Sequence, residues 1–168
     1  MSAGEYTSLD FELCQCRILK VRNGVNLDLY FINDTNLKQR YQTAAGETKK
    51  VQSVDPRTFL AGPAFPVRVY RARLCGIRNL RKVEDESQIE LEMQRWLDIT
   101  GGMFRCWAGS IDIYGRILVR IVDPVVDIDM GQYLIENHPE QFERYVRPGD
   151  YNRSCSLPGY ILATRPAS

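Results

Sequence analysis

Aspartates 112, 123, 127 and 129 cluster beside Arg116 and Arg120, a mixture that could act on phosphodiesters. Metal-assisted hydrolysis needs oxygen ligands for a hard cation and a general base. These residues do not thread onto such a pattern. No catalytic residue is assigned, and the chain is expected not to be an enzyme. Cys14-x-Cys16 is a second candidate, with His138 as the lone histidine. On a strand, residues two apart face the same way, so the two thiols could share a ligand. A four-ligand zinc set needs another close pair, which the sequence lacks. No metal and no cofactor are expected. His138 precedes Pro139 and reads as a helix-boundary residue, and no serine–histidine arrangement or Gly-rich phosphate loop competes with it.

Two segments suggest binding instead. Arg68, Arg71, Arg73, Arg78, Arg81 and Lys82 form a basic run around Tyr70. Arginines with an aromatic ring are the usual equipment for single-stranded nucleic acid. Glu84, Asp85, Glu86, Glu90 and Glu92 follow at once, which moderates the field. The other segment is LDLYFINDTN, Leu27–Asn36. Leu27, Leu29 and Phe31 fall on one strand face before Asn33, Asp34, Thr35 and Asn36 break the run.

The elements that must position these residues follow from composition and period. A chain of 168 residues with 44% hydrophobic and 10% aromatic content can build a core. Formal net charge is +1, too little to draw nucleic acid or a charged membrane by field alone. No apolar run approaches the ~18 residues of a membrane span. The start, MSAGEYTSLD, lacks a basic region followed by an apolar one, so no secretory signal is expected. The five cysteines, Cys14, Cys16, Cys75, Cys106 and Cys155, sit in apolar or strand-like runs. They are expected to be buried free thiols in a reducing compartment.

Phe11–Val21 reads as a strand, Arg22-Asn23-Gly24 as a tight turn and Leu27–Ile32 as the returning strand. Leu37–Ser53 reads as a loop, with a short strand near Lys50–Val54. Gly62–Pro66 is a breaker. Val67–Ile77 is the next strand, whose apolar phase slips between Val69 and Tyr70, a sign of a bulge or of a strand shared between two sheets. After a charged connector, Ser87 and Glu90 have capping-box spacing, and Ile89, Met93, Trp96, Leu97 and Thr100 follow at helical period. Gly101-Gly102 stops that helix. Met103–Ile113 and Arg116–Asp123 read as a hairpin around Tyr114-Gly115. Asp129–Asn137 and Glu140–Val146 read as short helices broken at His138-Pro139. A short terminal strand is expected at Tyr160–Ala163.

LDLYFINDTN resembles the hydrophobic-x-hydrophobic-x-Phe-Ile-Asp-Tyr-Gly-Asn strand of Tudor domains. With Ile121-Val122-Asp123 and the run DIDMGQYLIENH after it, the chain from Phe11 to Asn137 resembles an extended Tudor domain. That resemblance implies a mainly β (α+β) fold in one domain. A Tudor-like barrel over 11–66 would join a staphylococcal-nuclease-like, OB-type part over 67–165, with a linking helix at about 87–100. It also implies a degenerate methylarginine cage, because Leu13, Cys14 and Asp34 stand where rings are usual. A dimethylguanidinium needs those rings. The implied function is a non-catalytic scaffold module for small-RNA (piRNA-type) silencing in the cytoplasm or germ granules. It would take a partner's Arg- or Lys-containing peptide without depending on methylation, through Phe11, Phe31, Asn33, Asp34 and Asn36. Single-stranded RNA binding through Arg68, Tyr70, Arg71 and Arg73 is the alternative. A methylarginine reader, or a dimerisation domain using Phe142, Tyr145, Val146, Tyr160 and Ile161, stands third.

Overall fold

The fold is described from a computed structural model, over residues 12–32, 41, 51–54, 68–80, 86–112 and 114–144. Eight strands and two helices cover these residues. They are β1 (Glu12–Arg22), β2 (Asn26–Ile32), β3 (Ser53–Val54), β4 (Val69–Leu74) and β5 (Ile77–Asn79). Then come α1 (Glu86–Thr100), β6 (Met103–Ile111), β7 (Ile117–Val122), α2 (Met130–Asn137) and β8 (Phe142–Arg144).

Asn23 and Gly24 carry positive φ, 38° and 82°, which turns β1 back into β2 as the Asn-Gly pair predicts. Glycine is required at position 24 for a second reason. A Cβ there would lie 2.7 Å from Phe142 Cζ. β1 pairs with β2 on one side and β6 on the other, β6 pairs with β7, β7 runs parallel to β4, and β4 returns to β2. The five strands close into a barrel, compatible with Tudor and OB-type domains. The fold is mainly β, as the sequence predicts.

This closure redraws the expected division at 66/67. β1 and β2 lie before it, and β4, β6 and β7 after it, yet all five share one barrel. The reason is register. Leu27 opposes Ala72 and Leu29 opposes Tyr70, so the first hairpin finds its hydrogen-bonding edge in the second half of the chain.

Alternation sorts the barrel. Cys14, Cys16, Ile18, Leu27, Leu29, Phe31, Tyr70, Ala72 and Leu74 point inward and meet Phe104, Cys106, Ala108, Ile117, Val119 and Ile121. Phe31 stacks on Tyr41 at 5.7 Å between ring centres, and Tyr70 tilts against both at 5.6 and 5.9 Å. The Tyr41 hydroxyl donates to the Gly109 carbonyl. α1 lays Ile89, Met93 and Leu97 on the barrel, matching the expected stripe. It begins one residue before Ser87. Glu90 accepts from the Asn23 backbone N–H at 3.0 Å, which ties the helix to the first turn. Gly102, at φ 79°, accepts from Ile18 N–H, and a Cβ there would meet Ile18 O at 2.6 Å. No helix among the described residues is long and apolar enough to cross a membrane.

Three expectations are corrected. Val67–Ile77 is two strands, because Cys75-Gly76, with Gly76 at φ 77°, breaks it. Residues 142–144 form a strand, not part of a helix: their side chains are buried, exposed and buried in turn, and they pair with β5. Cys75 is disulfide-bonded. Cys14, Cys16 and Cys106 are buried free thiols, with Cys14 directly opposite Cys106. Burial pushes the Cys106 thiol well above its usual value, and hydrogen bonds with Cys14 and Cys16 add to this. The expected strand at Tyr160–Ala163 lies outside the described residues.

Asp123 gives the fold an acid dependence. Burial pushes its carboxyl up, but bonds from Trp96 Nε1 at 2.8 Å, Val125 N–H at 2.8 Å and Val126 N–H at 3.3 Å outweigh burial and lower it. A lowered folded value means stability that is present above the unfolded carboxylate value, about 3.9, and lost as pH falls through the folded one. Melting temperature followed from pH 6 to pH 2 should therefore drop in the acid range, and Asp123→Asn should flatten that limb. An unchanged acid limb in the variant would exclude Asp123 as its source.

Candidate binding cleft on the barrel face

The outward faces of β2 and β4 carry polar side chains where the inward faces are apolar. Asp28 on β2 lies directly opposite Arg71 on β4. Around this pair opens a cleft of about 410 Å³. Arg22 and Asn23 come from the end of β1 and its turn, and Asn26, Leu27 and Asp28 from β2. Gln52 precedes β3, Arg71 and Ala72 belong to β4, and Tyr114 and Arg116 stand in the β6–β7 turn.

Hydrogen bonds tie these walls together across long sequence separations. Arg116 Nη1 donates to Asn26 Oδ1 at 2.8 Å, and Asn26 Nδ2 donates to Asn23 Oδ1 at 2.8 Å. Gln52 N–H donates to Gly115 O at 2.7 Å, and Arg71 N–H donates to Gln52 O at 3.1 Å. The Gln52 side-chain amide donates to Tyr114 O. The Arg116 guanidinium lies 5.1 Å from the Tyr114 ring centre, and Tyr114 is 59% exposed.

Each arginine has a different electrostatic standing. Arg22 Nη2 meets Asp28 Oδ2 at 2.7 Å, and Asp28 is only 1% exposed. Arg116 Nε meets Asp112 Oδ2 at 2.8 Å, and Asp112 is likewise buried. The same Asp112 accepts from the backbone N–H groups of Tyr114 and Arg116, so it shapes the turn as well as holding the guanidinium. Arg71 is half-buried, and its guanidinium has no hydrogen-bond or ion-pair partner among the described residues. Of the three arginines lining the cleft, Arg71 is the one without a carboxylate partner among the described residues.

The residues expected to bind fare differently. Phe31 is 1% exposed beneath Tyr41 and Tyr70, a core residue rather than the rim of an open pocket. Phe11, Asn33, Asp34 and Asn36 lie outside the described residues. Tyr70 is also in the core, so its ring cannot stack on a base. Burial raises its hydroxyl's pKa, with Arg68, 6.0 Å from the ring centre, acting against this. Arg73 is buried and donates to Ile77 O at 2.9 Å, which makes it a brace for the β4–β5 turn. Arg68 is exposed outside the cleft lining, and of the expected residues that are described only Arg71 is in it.

The aspartates first suspected of cation binding each serve the fold separately. Asp129 caps α2 and pairs with Arg120 at 2.6 Å, and Asp127 meets Arg105 at 3.4 Å. Among the described residues no three His, Cys, Asp or Glu side chains are grouped to hold a metal. Sequence reasoning missed Arg22, Asn23, Asn26, Gln52 and Tyr114 as site residues, and placed Arg116 with the aspartates instead. The polar character of both hairpin turns was the available signal, but it reads equally well as turn chemistry.

No protein-family model matches the chain, and neither does any curated protein or any solved structure.

Proposed function

We propose that this chain is a non-catalytic binding module whose barrel cleft takes single-stranded nucleic acid, RNA foremost. The observation that carries this is Arg71. Its guanidinium, which has no carboxylate partner among the described residues, lies in a polar cleft whose rim presents the exposed Tyr114 ring. A cation and a ring face suit a phosphate and its base. The strand order adds support, with β4 parallel to β7 and α1 inserted between the third and fourth barrel strands. That order is compatible with a Greek-key closure of OB type, a fold whose second and third strands and adjoining loops often bind oligonucleotides. The small-RNA silencing setting implied by the Tudor resemblance accords with such a ligand. Peptide recruitment, the function that resemblance implies first, has less to stand on. Its Phe31 is in the core, and its other residues lie outside the described part.

The test is fluorescence anisotropy of a labelled single-stranded RNA at low salt. Arg71→Glu should weaken binding by ~10-fold or more, since it loses one phosphate contact and adds a repulsion. Absence of binding by the natural chain at low salt, or equal binding by Arg71→Glu, ends the proposal. An arginine-bearing peptide that binds the natural chain where RNA does not would return the peptide function to first place.

A further inference from the structure

We infer that Asp28 is a built-in counter-anion that restricts the cleft to one phosphate at a time. The inference rests on the nucleic-acid function proposed above and adds its specificity. Asp28 is 1% exposed on the outward face of β2, between the inward Leu27 and Leu29. Its Oδ2 takes both Nε and Nη2 of Arg22, at 3.2 and 2.7 Å. Its Oδ1 has no hydrogen-bond partner among the described residues, and across the strand pair stands Arg71.

One carboxylate therefore acts on two guanidiniums. It occupies Arg22 and lowers the positive potential at Arg71 without bonding to it. Asp112 pairs with Arg116. Among the described residues the cleft thus carries three arginines, of which one has no carboxylate bonded to it. A polyanion gains no more there than a single phosphate does, so selection passes to the ring and amide contacts around that phosphate. A ligand reaching for Arg22 as well has to displace a buried carboxylate that would then lack its partner, a costly exchange.

The measurement is the salt dependence of affinity for a short labelled oligouridylate. Each phosphate neutralised on a single strand contributes a slope of about −0.7 in log K against log salt. The natural chain should give about that single-contact slope, and Arg71→Gln should give a slope near zero. Asp28→Asn, nearly equal in shape, should release Arg22, bind ~10-fold tighter and steepen the slope to about −1.4. If Asp28→Asn fails to fold, the first two slopes decide the matter. A natural slope of two contacts or more, or a folded Asp28→Asn with unchanged affinity and slope, overturns the inference while leaving nucleic-acid binding intact. A natural chain that binds no RNA removes the proposed function itself, which is a separate outcome.

Discussion

Phe31→Ala is expected to cost about 3–5 kcal/mol of folding stability, the usual range for emptying a buried phenylalanine site. The ring is 1% exposed, stacked on Tyr41 and tilted against Tyr70. Removing it opens a void between two rings that cannot collapse together. The Tyr41 hydroxyl is held by Gly109 O, and Tyr70 is fixed by its strand opposite Leu29. The two ring contacts add something beyond area, about 0.5–1.5 kcal/mol for a good aromatic pair. Against a typical total of 5–15 kcal/mol, this brings the barrel close to unfolding. Urea denaturation gives the loss directly. Phe31→Leu, which refills much of the void, should lose less. At a temperature where Phe31→Ala remains folded, its RNA affinity should equal that of the natural chain, because the ring faces away from the cleft. A variant of unchanged stability that had lost its ligand would instead make Phe31 a rim residue.

The contrast between Phe31 and Arg71 shows what the sequence could disclose. Features set by neighbouring residues were legible. The Asn23-Gly24 turn follows from backbone preference, and α1 follows from the helical period of Ile89, Met93 and Leu97. The Met103–Ile111 and Ile117–Val122 hairpin and the short helix after Asp129 were legible for the same reason. Features set by distant register were not. Tyr70 lies among arginines in the sequence and looks like a stacking ring. Only the pairing of Leu29 with Tyr70 shows that β4 turns it inward with Ala72 and Leu74, and turns Arg71 outward. Val69 hid this alternation, since it is outward yet 0% exposed. Residues 142–144 needed β5 to become a strand, and three residues carry too little period to announce it. The cleft was hidden most deeply. Arg22 and Arg116 each look like the punctuation of a local hairpin, and the Arg116–Asn26 bond exists only once the barrel has closed.

Asp112→Ala should be the most damaging change near the cleft, at about 3–5 kcal/mol, the usual consequence of breaking a buried ion pair from one side. Tyr114 N–H, Arg116 N–H and Arg116 Nε lose their acceptor at once. Arg116 is 21% exposed in its side chain, so water solvates the released charge only in part. Asp112→Asn separates charge from shape. Its remaining oxygen can accept the two backbone donors, but its amide faces Arg116 and cannot pair with it, so a smaller loss in urea midpoint is expected. The binding readout is sharper. Both Asp28→Asn and Asp112→Asn remove one negative charge near the cleft, and a purely electrostatic site would bind RNA more tightly in both cases. The two carboxylates hold their arginines differently. Arg22 extends from the end of a paired strand and is 35% exposed, so it stays in reach of a ligand when released. Arg116 stands in a turn whose course Asp112 dictates, and that turn carries Tyr114 and the Asn26 link. Loosening it makes the ligand order the wall on binding, at about 0.5–1.5 kcal/mol for each long side chain immobilised. Asp28→Asn should therefore tighten RNA binding and Asp112→Asn should weaken it. Tightening in both would mean that charge alone governs the cleft, and the preorganised turn would then have no part in recognition.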